Sequence, residues 1–170
     1  MREKLLPIQE AVALIPSGAS LAIGGSILRR HPLGFLREMV RQGKTGLHLF
    51  TWTSGLAVDF LVGAGCVSKV EAAYVGLDPF GLAQNFRRAV ERGEIAIEDF
   101  TESSMIARFR AASMGLPCLP TMALLGTDMA ERTTLARPIT CPFTGQPMHM
   151  VAAARAEYTI LHGFTSDVYG

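Results

Sequence analysis

The sequence predicts an α/β protein with a doubly wound, mostly parallel sheet and flanking helices. Helical and strand-like hydrophobic periods alternate from the start of the chain, and glycine repeatedly closes a helical period before the next apolar run. The length of 170 residues, without a linker, repeat or low-complexity tract, fits one domain over residues 1–170.

Ile8, Val12 and Ile15 share a helical face that Ser17-Gly18 breaks, and residues 20–23 follow as a short strand. Leu33, Leu36 and Val40 form the next helical stripe, Gly43 ends it, and residues 47–51 read as a second strand. Val58, Leu61 and Val62 mark a third helix that stops near Gly63 and Gly65, ahead of a strand over 70–75. Phe86, Ala89 and Val90 mark a fourth, closed by Gly93 before a strand over 95–97. Met105, Ile106, Phe109 and Ala112 mark a fifth, stopped by Gly115 with Pro117 just beyond. Residues 126–149 carry Gly126, Pro138, Pro142, Gly145 and Pro147 with little periodicity, so they read as an irregular excursion before a last strand over 157–162.

Composition removes several function classes. The chain is 49% hydrophobic and 18% charged, and no apolar stretch approaches the ~20 residues of a membrane span. The opening MREKLLPIQEAVALIP interrupts its apolar residues with Gln9 and Glu10, which suits an amphipathic helix better than a cleaved signal, so a cytoplasmic protein is expected. A net charge of +1 with dispersed arginines gives no footprint for nucleic acid. Cys66, Cys118 and Cys141 show no CxxC spacing and read as reduced, buried thiols. His31, His48, His149 and His162 form no HxH or HExxH pair, so no metal is expected.

The chemistry concentrates at the ends of predicted strands. In LAIGGSILRRHPLGFL an apolar run stops at Gly24-Gly25, where residues without a Cβ let a ligand oxygen approach the main chain, or where a tight turn needs positive φ. Ser26–Arg29 supplies no third glycine and no Walker lysine follows, which disfavours dinucleotides and nucleoside triphosphates. Arg29 and Arg30 are either solvated charges or contacts to a phosphate or carboxylate. Ser54 and Gly55 should reach the same sheet edge, as a helix cap or as a ligand contact. In IEDFTESSMIARF, Thr101 can cap a helix, leaving Glu102 and Ser103 in its first turn. There Glu102 is an ordinary first-turn acid or an ionised nucleophile or base, whereas Glu98 and Asp99 fall in the preceding strand region.

The stretch GLAVDFLVGAGCVSKVEAAYVGLDPFGLAQNFRRAVERGEIAIEDFTESSMIARFRAASMGLPCLP, with LAIGGSILRRHPLGFL ahead of it, resembles the A subunits of the class I coenzyme A transferases, in particular the glutaconate CoA-transferase-like branch. The similarity runs from about Leu6 to Gly170. It implies the CoA-transferase, NagB-RpiA-like fold and a separate B subunit, usually in an A2B2 heterotetramer whose active site lies between the two. Coenzyme A and acyl-CoA are then substrates, and no permanently bound cofactor is implied. In the family a glutamate attacks the acyl-CoA thioester, forms an anhydride and captures CoA as a glutamyl thioester, while a glycine pair corresponding to Gly24 and Gly25 lines the oxyanion region.

The attacking glutamate of glutaconate-type transferases usually comes from the B subunit. A related branch uses a glutamate of its A subunit to hydrolyse carbon–carbon bonds in CoA-linked products of steroid ring degradation, and Glu102 sits in the matching segment. Both activities stay open, as does a non-catalytic ligand-binding or scaffold role. Ser26, Arg29, Arg30, Ser54, Gly55 and Ser103 are the expected substrate contacts, with Glu102, Gly24 and Gly25 as the expected catalytic set. Ser26 stands where many members carry an aromatic residue, and Cys118 where many carry Phe. The chain stops at Gly170, where most members continue, as in a short member or a piece of a longer one.

Overall fold

The computed structural model describes residues 3–170; Met1 and Arg2, part of the opening segment read as amphipathic helix, lie outside them. Helix α1 (Ile8–Ala13) starts only after Pro7 and leads into β1 (Ser20–Ile23). Then α2 (Leu33–Arg41), β2 (Leu47–Phe50), α3 (Leu56–Gly63), β3 (Val67–Ala72), α4 (Gln84–Glu91) and β4 (Ala96–Asp99) follow in alternation. After β4 come α5 (Glu102–Ser113), β5 (Cys118–Thr121), α6 (Met129–Arg132), β6 (Ala136–Thr140), β7 (Pro147–Ala152) and β8 (Tyr158–Ile160).

Five strands form a parallel sheet in the order β4-β3-β2-β1-β8. Its inner strands pack side chains on both faces. Leu21, Ile23, Leu47, Leu49 and Val70 turn toward α1 to α4 and build the larger core with Val12, Leu36, Met39, Val58 and Leu61. On the opposite face Ala22 and Phe50 meet Phe100, Met105, Phe109 and Ala154. Helices therefore flank both faces, as the alternation predicts.

The expected excursion over 126–149 is structured instead. It supplies β6 and β7, which join β5 in an antiparallel sheet of order β5-β7-β6 packed on α5. The periodicity is faint for a physical reason. Most of its positions are half-buried or exposed, so inward and outward residues do not contrast. The prolines sit where a strand tolerates them: Pro120 and Pro138 on the two edge strands, and Pro147 as the first residue of the central one. Smaller differences concern ends: β3 runs earlier than expected because the chain enters it directly after Gly65, and β4 includes Glu98 and Asp99.

Charge also ties the layers together. Arg108 of α5 is buried, donates through Nη2 to Glu71 of β3 and through Nε to Ala152 O (2.9 Å), and lies over the Phe100 ring at 4.1 Å. Lys69 Nζ (3.0 Å) and His48 Nε2 (2.9 Å) reach the other Glu71 oxygen. Burial alone would push the Glu71 carboxyl up, but hydrogen bonds from His48, the Arg108 charge and Lys69 outweigh it and hold the group at about 2.

The three thiols are free, as expected, but only Cys66 is buried, and burial pushes its thiol up. Cys118 and Cys141 are half-buried in the antiparallel sheet and its hairpin, since that sheet covers one face only. The Thr144 hydroxyl and neighbouring backbone groups hold the Cys141 thiol below its usual range.

Candidate active site at the strand-order reversal

From β1 the chain steps outward to β4, then returns through α5 and the antiparallel sheet to place β8 on the other side of β1. Strand order reverses between β1 and β8. In open α/β sheets the crevice beyond the carboxyl ends of two such strands is where ligands settle, because their following loops diverge. An open cleft of about 510 Å³ lies there, lined by Gly24, Gly25, Ser26, Arg29, Arg30, Leu161 and His162.

The loop after β1 is tightly specified. Gly24 N–H continues the ladder to Ile160 O at 2.9 Å, and a Cβ on Gly24 would lie 2.6 Å from the Leu161 side chain. Gly25 has φ +105°, and a Cβ there would come within 2.5 Å of His31 Nδ1 and within 2.8 and 2.9 Å of the Arg29 and Arg30 carbonyl oxygens. No side chain fits. Ser26 and Arg29 exchange backbone hydrogen bonds (2.9 and 2.8 Å), which closes the turn. The Gly25 N–H donates to no protein acceptor among the described residues, so a ligand oxygen can take it.

The neighbouring loops run alongside. Ile27 bridges to Ser54 and Thr53 bridges to Tyr74, extending the parallel pairing beyond β1, β2 and β3. Ser26 Oγ and Thr53 Oγ1 share a hydrogen bond of 3.2 Å. Ser54 is buried with its hydroxyl unpartnered among the described residues, and it does not line the cleft. Gly55 is a packing glycine: a Cβ would lie 1.8 Å from Gly76 O. Its N–H and that of Leu56 both donate to Ile27 O, at 3.0 and 2.9 Å.

Of the residues singled out in the sequence, the structure brings Gly24, Gly25, Ser26, Arg29 and Arg30 together in the cleft. Ser54 and Gly55 stand behind that loop. Glu102 and Ser103 are exposed in the first turn of α5, where Thr101 Oγ1 accepts the Ser104 N–H at 3.1 Å. They share the carboxyl edge of the sheet, but β4 is three strand spacings from β1, roughly 14 Å at ~4.8 Å each. The sequence reading missed Leu161 and His162, which follow β8 and form the far wall, because nothing local shows that β8 pairs with β1. It also missed His31, considered there only as a metal ligand. Among the described residues no group of three or more His, Cys, Asp or Glu side chains could hold a metal ion, and no helix is long and apolar enough to cross a membrane.

The fold is thus a doubly wound α/β sheet whose switch-point cleft gathers a glycine pair and two arginines. Comparison makes this specific: the sequence profile of the coenzyme A transferase family matches residues 6–170, and the chain belongs to that family. It is 31% identical over 171 residues to the A subunit of 3-oxoadipate CoA-transferase from Pseudomonas knackmussii, covering 98% of this chain and 60% of that protein. It is 35% identical over 177 residues to the cholesterol ring-cleaving hydrolase IpdA subunit of Rhodococcus jostii, covering 99% and 59%. A crystal structure of a variant of the decarboxylase AibA/AibB superposes with a TM-score of 0.86 at 34% identity, over 93% of this chain and 61% of that one. The chain thus spans about three-fifths of the length of these relatives.

Proposed function

We propose that this chain supplies the oxyanion-binding half of a CoA-thioester site and acts with a B subunit, in an A2B2 assembly, as a CoA-transferase moving CoA from an acyl-CoA to a carboxylic acid. The observation that carries the reading is the uncommitted Gly25 N–H in a cleft at the strand-order reversal. A thioester carbonyl seated there gains a hydrogen bond that strengthens as its oxygen becomes an oxyanion. The glutamate carboxylate adds to the thioester carbon and the CoA thiolate leaves, giving an acyl-glutamyl anhydride. The thiolate then adds to the glutamyl carbonyl and expels the acyl carboxylate, leaving glutamyl-CoA, which the acceptor acid takes through the same steps in reverse. Water takes no part, so the thioester bond energy is conserved.

Among the described residues no carboxylate lines the cleft, which supports a glutamate delivered by the B subunit. Arg29 and Arg30 offer charged donors to a phosphate or carboxylate of the substrates, with Ser26 beside them. Coenzyme A enters as substrate, with no resident cofactor or metal, and the three unpaired thiols suit a cytoplasmic setting.

The likeness to the ring-cleaving hydrolase subunit favours a second reading, in which Glu102 is the base that activates water. Its exposure leaves it open to a partner's substrate.

The test is mass spectrometry of the chain co-purified with its B subunit, after incubation with acyl-CoA and trapping with borohydride or hydroxylamine. The transferase reading expects a glutamyl adduct on the B subunit. Under it, Glu102→Gln changes kcat by less than about threefold, whereas removing a true general base lowers kcat by roughly 10²–10⁴. No adduct, together with hydrolysis of CoA-linked ring substrates that Glu102→Gln abolishes, refutes the transferase and establishes the hydrolase.

A further inference from the structure

We infer that Phe164 is a positioning residue for Arg30: its ring holds the guanidinium at the cleft without neutralising it, which keeps that charge open to an oxyanion of the substrates, carboxylate or phosphate. The inference rests on the thioester site proposed above. Arg30 lines the cleft, and its Cζ lies 5.5 Å from the centroid of the Phe164 ring. That is within the ~6 Å over which the negative face of an aromatic ring attracts a cation.

Among the described residues two arginines stand over aromatic rings, and they differ in what else they meet. Arg108, over Phe100 at 4.1 Å, is buried; Glu71 meets its charge and Ala152 O accepts one of its N–H groups. Arg30 is exposed, and among the described residues no carboxylate pairs with it. A carboxylate would accept the in-plane N–H groups that a ligand oxyanion needs. An aromatic ring attracts the cation through its quadrupole and leaves those donors free. The guanidinium is thereby oriented while its charge stays unpaired.

Phe164 also joins the two walls of the cleft. Leu161 fills the space beside Gly24, and the His162 ring meets Phe164 edge-on, with centroids 6.0 Å apart and planes at 82°. Residues 162–166 make no backbone hydrogen bond with another segment among the described residues, so side-chain contacts set how this wall lies against the glycine loop. Arg30 comes from the loop and His162 from the wall, and Phe164 faces both. Its side chain is 85% exposed and adds little to a core, so a substitution there tests positioning without unfolding the chain.

The first readout is the Arg30 Nε–H resonance of the full chain, identified by its loss in Arg30→Lys. The Phe164 ring current should shift it upfield in the parent, an aromatic shift should remain in Phe164→Tyr, and none should remain in Phe164→Leu. Acetate and inorganic phosphate titrated onto that signal should bind about two- to fivefold more weakly in Phe164→Leu, the loss expected for an exposed cation–π contact. In the enzyme assembled with its B subunit, Phe164→Leu should raise by the same factor the KM of the substrate whose oxyanion Arg30 holds, at nearly constant kcat, and Phe164→Tyr should restore it. Added to Arg30→Ala, Phe164→Leu should change nothing further. A rise confined to CoA thioesters and lost with an S-acyl pantetheine, which has no phosphate, identifies a phosphate as the ligand. A rise that persists with S-acyl pantetheine, or falls on the acceptor acid, identifies a carboxylate. An unshifted Arg30 signal in the parent, additive effects of the two substitutions, or a Phe164→Leu chain that no longer co-purifies with its B subunit overturns the inference. The Arg30 signal is read without turnover, so absence of acyl transfer refutes the proposed function, and the anion titration then decides the role of Phe164.

Discussion

Glu71→Gln should weaken the protein at pH 7 and remove much of its sensitivity to acid. The Glu71 side chain is 3% exposed and is held at about 2 against an ordinary value of 4.5. At about 1.4 kcal/mol per tenfold, that difference corresponds to about 3 kcal/mol of stability linked to ionisation. Because the folded-state value is the lower one, this contribution is complete above pH 4.5 and is lost as pH falls from there to about 2. The amide also leaves Arg108 buried without its counter-charge, and breaking a buried pair from one side costs about 3–5 kcal/mol. With a urea m-value of about 2 kcal/mol/M, the unfolding midpoint at pH 7 should drop by about 2 M. Urea titrations of both proteins at pH 7, 5 and 3 provide the assay. The parent should lose stability steeply between the last two, and the variant much less. Parallel pH dependences would refute the assignment of acid sensitivity to Glu71, and an unchanged midpoint at pH 7 would refute the energetic role of the pair.

Substitutions at three further positions test the local geometry. Gly25→Ala forces a Cβ to 2.5 Å from His31 Nδ1 at φ +105°; acyl transfer should fall at least about 100-fold, with about 1–3 kcal/mol lost in thermal unfolding. Gly55→Ala drives a Cβ into Gly76 O and separates the loops after β2 and β3; it should cost about 3 kcal/mol, read as a fall in Tm of about 6–12 °C. Thr101→Ala removes the acceptor for the Ser104 N–H and should cost about 1 kcal/mol by urea titration, whereas Thr101→Ser should stay within a few tenths of the parent.

How much of this was legible follows from range. Alternating periods expose β1, β2 and the helices between them because each buries a contiguous apolar stripe, as Leu33, Leu36 and Val40 do in α2. The glycine pair and both arginines could be found because backbone chemistry at a strand end depends on neighbours in sequence. The far wall at Leu161 and His162 could not, since it reaches Gly24 only through a pairing between residues more than 130 positions apart. The antiparallel sheet was invisible for the opposite reason: its strands are half-exposed and proline-marked, so the hydrophobic contrast that reveals a strand is missing. The placement of Glu102 was only half legible. Its cap and first-turn position are local, but its separation from Gly25 is set by strand order.

The Ile27 carbonyl shows how the fold makes the cleft rigid enough for chemistry. A β-branched residue at φ +49° stores strain of about 1–3 kcal/mol, and it persists only where neighbouring groups demand it. Here three donors converge on one oxygen: Gly55 N, Leu56 N and His31 Nε2, the first two from the start of α3 and the third from the residue before Pro32. At about 1 kcal/mol each, these bonds are comparable with the strain and offset it. Gly55 can approach only because it lacks a Cβ, and Gly76 O fills the space a Cβ would need. The loops after β1, β2 and β3 therefore behave as a continuation of the sheet, which fixes where residue 27 sits and braces the turn that begins at Gly24 and Gly25. Under the proposed function, a Gly25 N–H on a loop braced that way costs no reorganisation when charge develops on a thioester oxygen, which is the condition for one backbone donor to accelerate acyl transfer.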